Sequence, residues 1–123
     1  MPETELLYYL AEDNTVPLIA WLDGLPFKAQ AKCLARLRRL EQLGHELRRP
    51  EADYLRDGIY ELRASYQGIH YRMLYFFQGR QAVVVSHGLA KQQAVPPTEI
   101  ERALQRKARF EADPAGHTFK PGR

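Results

Sequence analysis

Cysteine is nearly missing from this chain, with Cys33 standing alone among 123 residues. A single thiol excludes an intramolecular disulfide and a cysteine-based zinc cluster, and it suits a chain that works in a reducing cytoplasm. Long hydrophobic runs are missing too. No stretch approaches the roughly 18 uninterrupted apolar residues of a membrane helix, and acidic Glu3 and Glu5 stand where a secretory leader would be basic. We therefore expect no membrane association and no processed leader. Charge of one sign is scarce: 18 Lys and Arg face 15 Asp and Glu, a net +3 that permits a polyanionic partner without demanding one. No His, Cys or carboxylate spacing suggests a metal site, so neither metal nor other cofactor is expected.

Hydrophobic residues make up 45% of the chain, enough for one core at this length. The expectation is a single α+β domain over residues 1–114, followed by a Gly- and Pro-containing mobile tail over 115–123. Leu6 to Leu10 is an apolar and aromatic run that suits a strand covered on both faces. Thr15 or Asn14 can cap a short helix ending at Asp23-Gly24, with Pro17 in its first turn. From Phe27 to Leu43, Ala29, Cys33, Leu34, Leu37, Leu40 and Leu43 recur at three- and four-residue steps, which predicts a long amphipathic helix stopped by Gly44. Cys33 lies on its apolar stripe and reads as core. His45 to Asp53 has no period and reads as a loop, whose Arg48 and Arg49 can guide an anionic ligand. Thr98 and Glu101 have capping-box spacing ahead of a last helix near 99–112, which Asp113-Pro114 stops.

The centre of the chain is Leu55 to Lys91. Ile59–Ala64, Ile69–Phe77 and Ala82–Ser86 have strand composition, and Gln67-Gly68 and Gln78-Gly79-Arg80 are turns between them, which predicts an antiparallel meander. With the N-terminal strand it makes a small, mainly antiparallel sheet. Four residues on it exceed what burial explains: Arg63, Arg72, His87 and Lys91. Arg63 alternates with Glu61 and Ile59, and Arg72 shares a face with Leu74 and Phe76. An arginine in such company either pairs with a carboxylate, for which Glu61 and Asp57 are available, or faces a ligand groove. His87 is either a hydrogen-bonded structural histidine or a functional one. Tyr60, Tyr71 and Tyr75 can stack on bases, although sheet tyrosines commonly belong to the core.

These residues also carry a resemblance. Leu55-Arg56-Asp57-Gly58-Ile59-Tyr60-Glu61-Leu62-Arg63, then Tyr71-Arg72-Met73-Leu74-Tyr75, then His87-Gly88-Leu89-Ala90-Lys91, together with Trp21-Leu22-Asp23-Gly24-Leu25-Pro26 and Pro97-Thr98-Glu99-Ile100, resemble the phage-derived HigB-like branch of the RelE toxin superfamily over about residues 5 to 112. The resemblance implies a small sheet with an N-terminal helical hairpin and a C-terminal helix. It implies a type II toxin that cleaves messenger RNA without metal, in many members on the ribosome, and that is restrained by a helix-turn-helix antitoxin. Arg63, Arg72 and Lys91 match the basic positions of the family's site. Leu89 stands where the family has an aromatic residue and Gln92 where it has a second lysine.

RNA supplies its own nucleophile, the 2′-hydroxyl. A cleaving protein has to align it, remove its proton, stabilise the phosphorane and protonate the leaving oxygen. This chemistry assigns Arg72 to the phosphate, Arg63 to phosphate or charge stabilisation, and His87 or Lys91 to proton transfer, with Arg48, Arg49, Tyr60, Tyr71 and Tyr75 as the expected RNA contacts. Two rivals remain open at the level of sequence: a ParE-like protein that inhibits DNA gyrase by binding, and a non-catalytic RNA-binding domain.

Overall fold

Six strands join in one sheet among the described residues: β1 (Glu5–Tyr9), β2 (Ala52–Arg56), β3 (Ile59–Tyr66), β4 (Ile69–Gln78), β5 (Ala82–Ala90) and β6 (Thr118–Phe119). Their spatial order is β2-β3-β4-β5-β1-β6. The computed structural model describes residues 3–90 and 93–122, and its helices are α1 (Pro17–Asp23), α2 (Phe27–Leu43) and α3 (Pro97–Ala112). Every pairing is antiparallel except that of β1 with β5. This is the expected α+β architecture.

Turn chemistry sets the register of the meander. Asp57-Gly58 and Gln67-Gly68 have φ of 53° and 86°, and of 52° and 79°, respectively. Two successive left-handed residues make the tight turn whose twist matches that of the flanking strands. In this register Arg63 faces Arg72, and Glu61 faces Leu74. A bulge after Leu74 then shifts β5, so that Leu74 faces His87 and Arg72 faces Leu89.

The period of two along each strand divides the core into halves. Leu62, Met73, Tyr75 and Val85 meet Leu18, Cys33, Leu37 and Leu40 of α1 and α2 on one face. Ile59, Leu74, Phe76 and Val84 meet Ile100, Ala103 and Phe110 of α3 on the other. Each fully buried leucine or phenylalanine contributes about 1.5–3 kcal/mol, so both helical layers are held by apolar area more than by polar contacts. At Gly88 α1 comes very close to β5. A Cβ there would lie 2.2 Å from Cε3 of Trp21, so only glycine lets the indole lie across the strand.

Several local expectations need correction. The N-caps of α1 and α3 are Val16 and Pro96, neither with a side-chain capping bond. The expected caps at Thr15 or Asn14 and the Thr98–Glu101 box are thus not formed. Proline in the first turn, whose missing N–H costs nothing there, starts both helices instead. The segment read as a loop to Asp53 contains the start of β2. Residues 115–119, expected in a tail, form a short 3-10 turn and then β6 against β1. The His117 ring stacks on Tyr9 at 5.1 Å, and Phe119 stacks on Tyr8 at 6.2 Å.

Candidate functional site

The registered pair Arg63 and Arg72 places two guanidinium groups on neighbouring strands, on the sheet face that α3 shares. Directly opposed like charges destabilise a sheet unless something stands between them. Glu61 does so. Its carboxylate Oε2 accepts from Arg63 Nη2 at 2.9 Å and Nε at 3.2 Å, while Oε1 lies 3.4 Å from Arg72 Nη1. Asp53 on β2 extends the chain of alternating charge, its Oδ2 lying 3.2 Å from Arg63 Nη2 and 3.0 Å from Arg49 Nη2. Hydrogen bonding to Arg49 and the nearby positive charges hold the Asp53 carboxyl below its usual range despite some desolvation. Three cations thus surround two carboxylates, which leaves one positive charge in excess among Arg49, Arg63, Arg72, Asp53 and Glu61.

Burial differs along this chain. The Glu61 side chain is 4% exposed, that of Arg72 14%, and that of Arg63 37%. Arg72 Nε is buried and has no hydrogen-bond partner among the described residues, so among these a donor is left over in the middle of the cluster. The main chain of Arg63 is held from both sides. Its N–H donates to the Glu51 carbonyl at 2.7 Å, and its carbonyl accepts from Arg36 Nε of α2 at 2.8 Å. Arg36 and Arg39 also share the Glu51 carboxylate, so these two members of the basic arc of α2 are engaged at the sheet.

His87 has a different environment. Its Nε2–H donates to Glu99 Oε1 of α3 at 2.8 Å, and its Nδ1 accepts from the Ser86 hydroxyl at 2.7 Å. Arg106 in turn donates to Ser86 Oγ. Burial, opposed by the Glu99 hydrogen bond, pushes the imidazole pKa down to about 4. The ring is therefore neutral near pH 7 with both nitrogens occupied, and its contacts fasten α3 to β5. Glu99 in the first turn of α3 meets His87, and Phe110 near its end meets Phe76. The helix thus runs over the sheet away from Leu89 and Arg72, which face each other one alternation before the Leu74–His87 pair. The arginine pair lies past the N-terminal end of α3.

The tyrosines lie on the opposite face from the arginines. Tyr71 is buried with its ring edge against Trp21 at 6.2 Å, and Tyr75 is buried against Tyr60 at 5.3 Å. Desolvation raises the Tyr75 phenol, as expected in an apolar layer. Tyr60 is partly buried. Arg48 is pinned to the His45 carbonyl at 2.6 Å, and Arg49 is mostly exposed beside Asp53. Asp57, offered by the sequence as a partner for Arg72, pairs instead with Arg56 at 2.8 Å. Lys91 and Gln92 lie outside the described residues. Sequence reasoning missed Asp53, hidden in an edge strand read as a loop, although its position opposite Glu61 follows once β2 is paired. Among the described residues, no group of three His, Cys, Asp or Glu side chains is arranged to hold a metal ion, and no helix is long and apolar enough to cross a membrane.

Comparison with known families places this geometry. Residues 20–108 match the family described as phage derived protein Gp49-like (DUF891), a group of RelE-like toxins of toxin–antitoxin systems. The matched stretch runs from the end of α1 through most of α3 and includes the whole arginine cluster. No curated protein matches the chain.

Proposed function

The chain belongs to the phage-derived Gp49-like family of toxin–antitoxin toxins, and from that premise we propose that it is a metal-independent endoribonuclease. In this reading it belongs to the HigB-like branch it resembles and blocks translation by cleaving messenger RNA on the ribosome. The observation that carries the reading is the Arg63–Glu61–Arg72 arrangement. Two cations that would repel across adjacent strands are fixed by a nearly buried carboxylate, with Arg63 partly open to solvent and Arg72 retaining an Nε–H that is unused among the described residues. Guanidinium groups held in place before substrate arrives stabilise the charge that develops on a phosphorane without having to reorganise. Arg63 meets the phosphate first. Arg72 stabilises its equatorial charge as the 2′-hydroxyl attacks, the new O–P bond forming as the bond to the 5′-oxygen breaks.

Proton transfer falls to Lys91 in this reading, because His87 is neutral, buried and bonded through both ring nitrogens. Lys91 follows Ala90 in sequence, the last residue of β5. A lysine beside other cations acts as a base only if its pKa falls, and otherwise acts as an electrostatic donor.

The family implies an antitoxin partner, and a helix-turn-helix antitoxin is proposed here. The outer face of α2 suits an acidic segment of it. Phe27 is 82% exposed, exposed Leu34 follows two turns later, and exposed Lys28 and Lys32 flank the row.

The test is to induce the chain in cells and map transcript 5′ ends, with Arg63→Ala and Lys91→Ala as companions. Cleavage in phase with codons that both variants reduce is expected. Intact transcripts accompanied by gyrase-linked DNA damage would replace this reading with the binding-inhibitor one.

A further inference from the structure

The β2 edge of the sheet carries a recess that the phosphate chemistry above leaves unused. A pocket of about 480 Å³ opens there, lined by Tyr54 and Tyr60, buried Leu47 and Ala52, Asp53, and Arg48 and Arg49. Its size falls within the ~300–1,000 Å³ typical of small-ligand sites. Tyr54 stands out. It is 53% exposed on an edge strand, where a large aromatic side chain is a liability unless something covers it.

The Tyr54 ring is nonetheless held in place. It meets Tyr60 edge-on at 5.0 Å, and Tyr60 stacks on buried Tyr75 at 5.3 Å. The Tyr54 hydroxyl accepts the Gly58 N–H at 3.1 Å, and its own N–H donates to Asp53 Oδ1 at 3.0 Å. A fixed aromatic ring half open to solvent offers a flat π surface with little entropy left to lose on binding. The cations beside it are partly free: among the described residues Arg48 has one hydrogen bond, to the His45 carbonyl, and Arg49 pairs with Asp53 alone. At the β2 edge Asp53 Oδ2 lies 3.0 Å from Arg49 at the pocket rim and 3.2 Å from Arg63, which faces the other side of the sheet from Tyr54 and Tyr60.

An exposed aromatic platform, rim cations and a link around the β2 edge, through Asp53, to the phosphate-binding pair on the other face together match the chemistry of a single-stranded nucleotide. We propose that this pocket seats one unpaired nucleotide of an RNA strand that rounds the β2 edge at Asp53 from the phosphate at Arg63 and Arg72 on the other face, its base stacked on Tyr54 and its backbone against Arg48 and Arg49. The proposal rests on the RNA reading above. Asp53 Oδ2 is taken up by Arg49 and Arg63, and Oδ1 accepts the Tyr54 N–H. The pocket therefore holds a base chiefly by stacking. Duplex RNA, whose bases are already stacked on one another, does not enter.

The experiment uses the full chain and a fluorescein-labelled RNA oligonucleotide carrying 2′-O-methyl groups, which cannot be cleaved, with anisotropy as readout. Tyr54→Ala should weaken single-strand binding about tenfold, because a stacked base contributes on the order of that factor. Tyr54→Phe keeps the ring and should bind within about twofold of the parent. Melting curves establish that the exposed substitution leaves the fold intact. Arg49→Ala should weaken binding and flatten its salt dependence. Equal binding by Tyr54→Ala, equal binding of duplex and single strand, or no binding by the parent chain each overturns the pocket. Cleavage that persists while Tyr54→Ala has no effect on binding refutes the pocket and leaves the nuclease standing. Oligonucleotide binding that depends on Tyr54 in a chain that cuts no transcript does the reverse.

Discussion

Arg72→Ala tests the geometry of the cluster through stability before any activity is measured. The Arg72 guanidinium is largely buried and, among the described residues, is the one cation beside Glu61 Oε1, an oxygen without a hydrogen bond to any of them in a side chain only 4% exposed. Removing it leaves half of a buried carboxylate unpaired, while Oε2 keeps its two bonds to Arg63. Breaking a buried pair outright costs about 3–5 kcal/mol. With Arg63 still in place, we expect about 2–3 kcal/mol, which in a domain of this size lowers the melting midpoint by roughly 10 °C. Arg63 is itself more exposed, but Arg63→Ala takes both hydrogen bonds from Oε2 of the same buried carboxylate and should cost a comparable amount, about 2–3 kcal/mol. The second arm of the test is Glu61→Gln in the Arg72→Ala background. It takes away the stranded charge and should recover about 1 kcal/mol, whereas alone it destabilises by leaving two arginines opposed. Thermal and urea unfolding of the four proteins measure all of this. An Arg72→Ala chain that melts with the parent, or a double variant weaker than Arg72→Ala, refutes the ion-pair account. RNA cleavage by Arg72→Ala is then assayed well below its own midpoint, where loss of activity reports on chemistry.

The His87 pKa of about 4 lies below its unfolded value near 6.5, so the unfolded chain binds more protons between those limits and stability falls as pH drops from 6.5 toward 4. The loss attributable to this ring reaches about 3 kcal/mol, and the difference between parent and His87→Gln in urea unfolding across that range should vanish if the ring is not buried neutral. Burial pushes the Cys33 thiol up to about 11, so a thiol reagent should label it slowly in the native chain and rapidly in denaturant; fast native labelling contradicts its place under α2. Phe119→Ala removes the ring stacked on Tyr8 and should destabilise by about 1 kcal/mol in thermal melts, while an unchanged midpoint would mean that β6 contributes nothing.

Residue pattern made much of the fold legible, and for physical reasons it stopped short at the edges. The three- and four-residue steps of α2 and the β-branched runs of β3 to β5 are long enough for their period to be read. β2 is short, and its residues Ala52, Asp53, Tyr54, Leu55 and Arg56 mix buried with exposed positions as an edge strand does. β6 has two residues and exists only because β1 is there to receive it. The helix starts misled because Thr15 and Thr98 have the right chemistry but lie one residue before and two residues after the actual caps, Val16 and Pro96.

Alternation along β3 and β4 already put Arg63 and Arg72 on one face and Tyr71 and Tyr75 on the other. Assigning all of them to one RNA surface overlooked a signal that was present in the sequence. What could not be read locally was His87. Its partner Glu99 is on another element, and only the docking of α3 makes the imidazole a fastening.

The parallel pairing of β1 with β5 has a consequence for motion. Leu7 lies beside Val84, and Tyr8 has Phe119 on its other side, so one strand bridges partners very distant along the chain. The hairpins from β2 to β5 close loops of only a few residues and can assemble early. β1 must wait for long loops to close, and it gains its outer neighbour from a strand of two residues. Opening should follow the same order in reverse. Amide protons of β6 and the outward-facing side of β1 should exchange with solvent long before those of β3 and β4, so the arginine cluster is anchored in the slowest-breathing part of the sheet and stays assembled while the opposite edge frays.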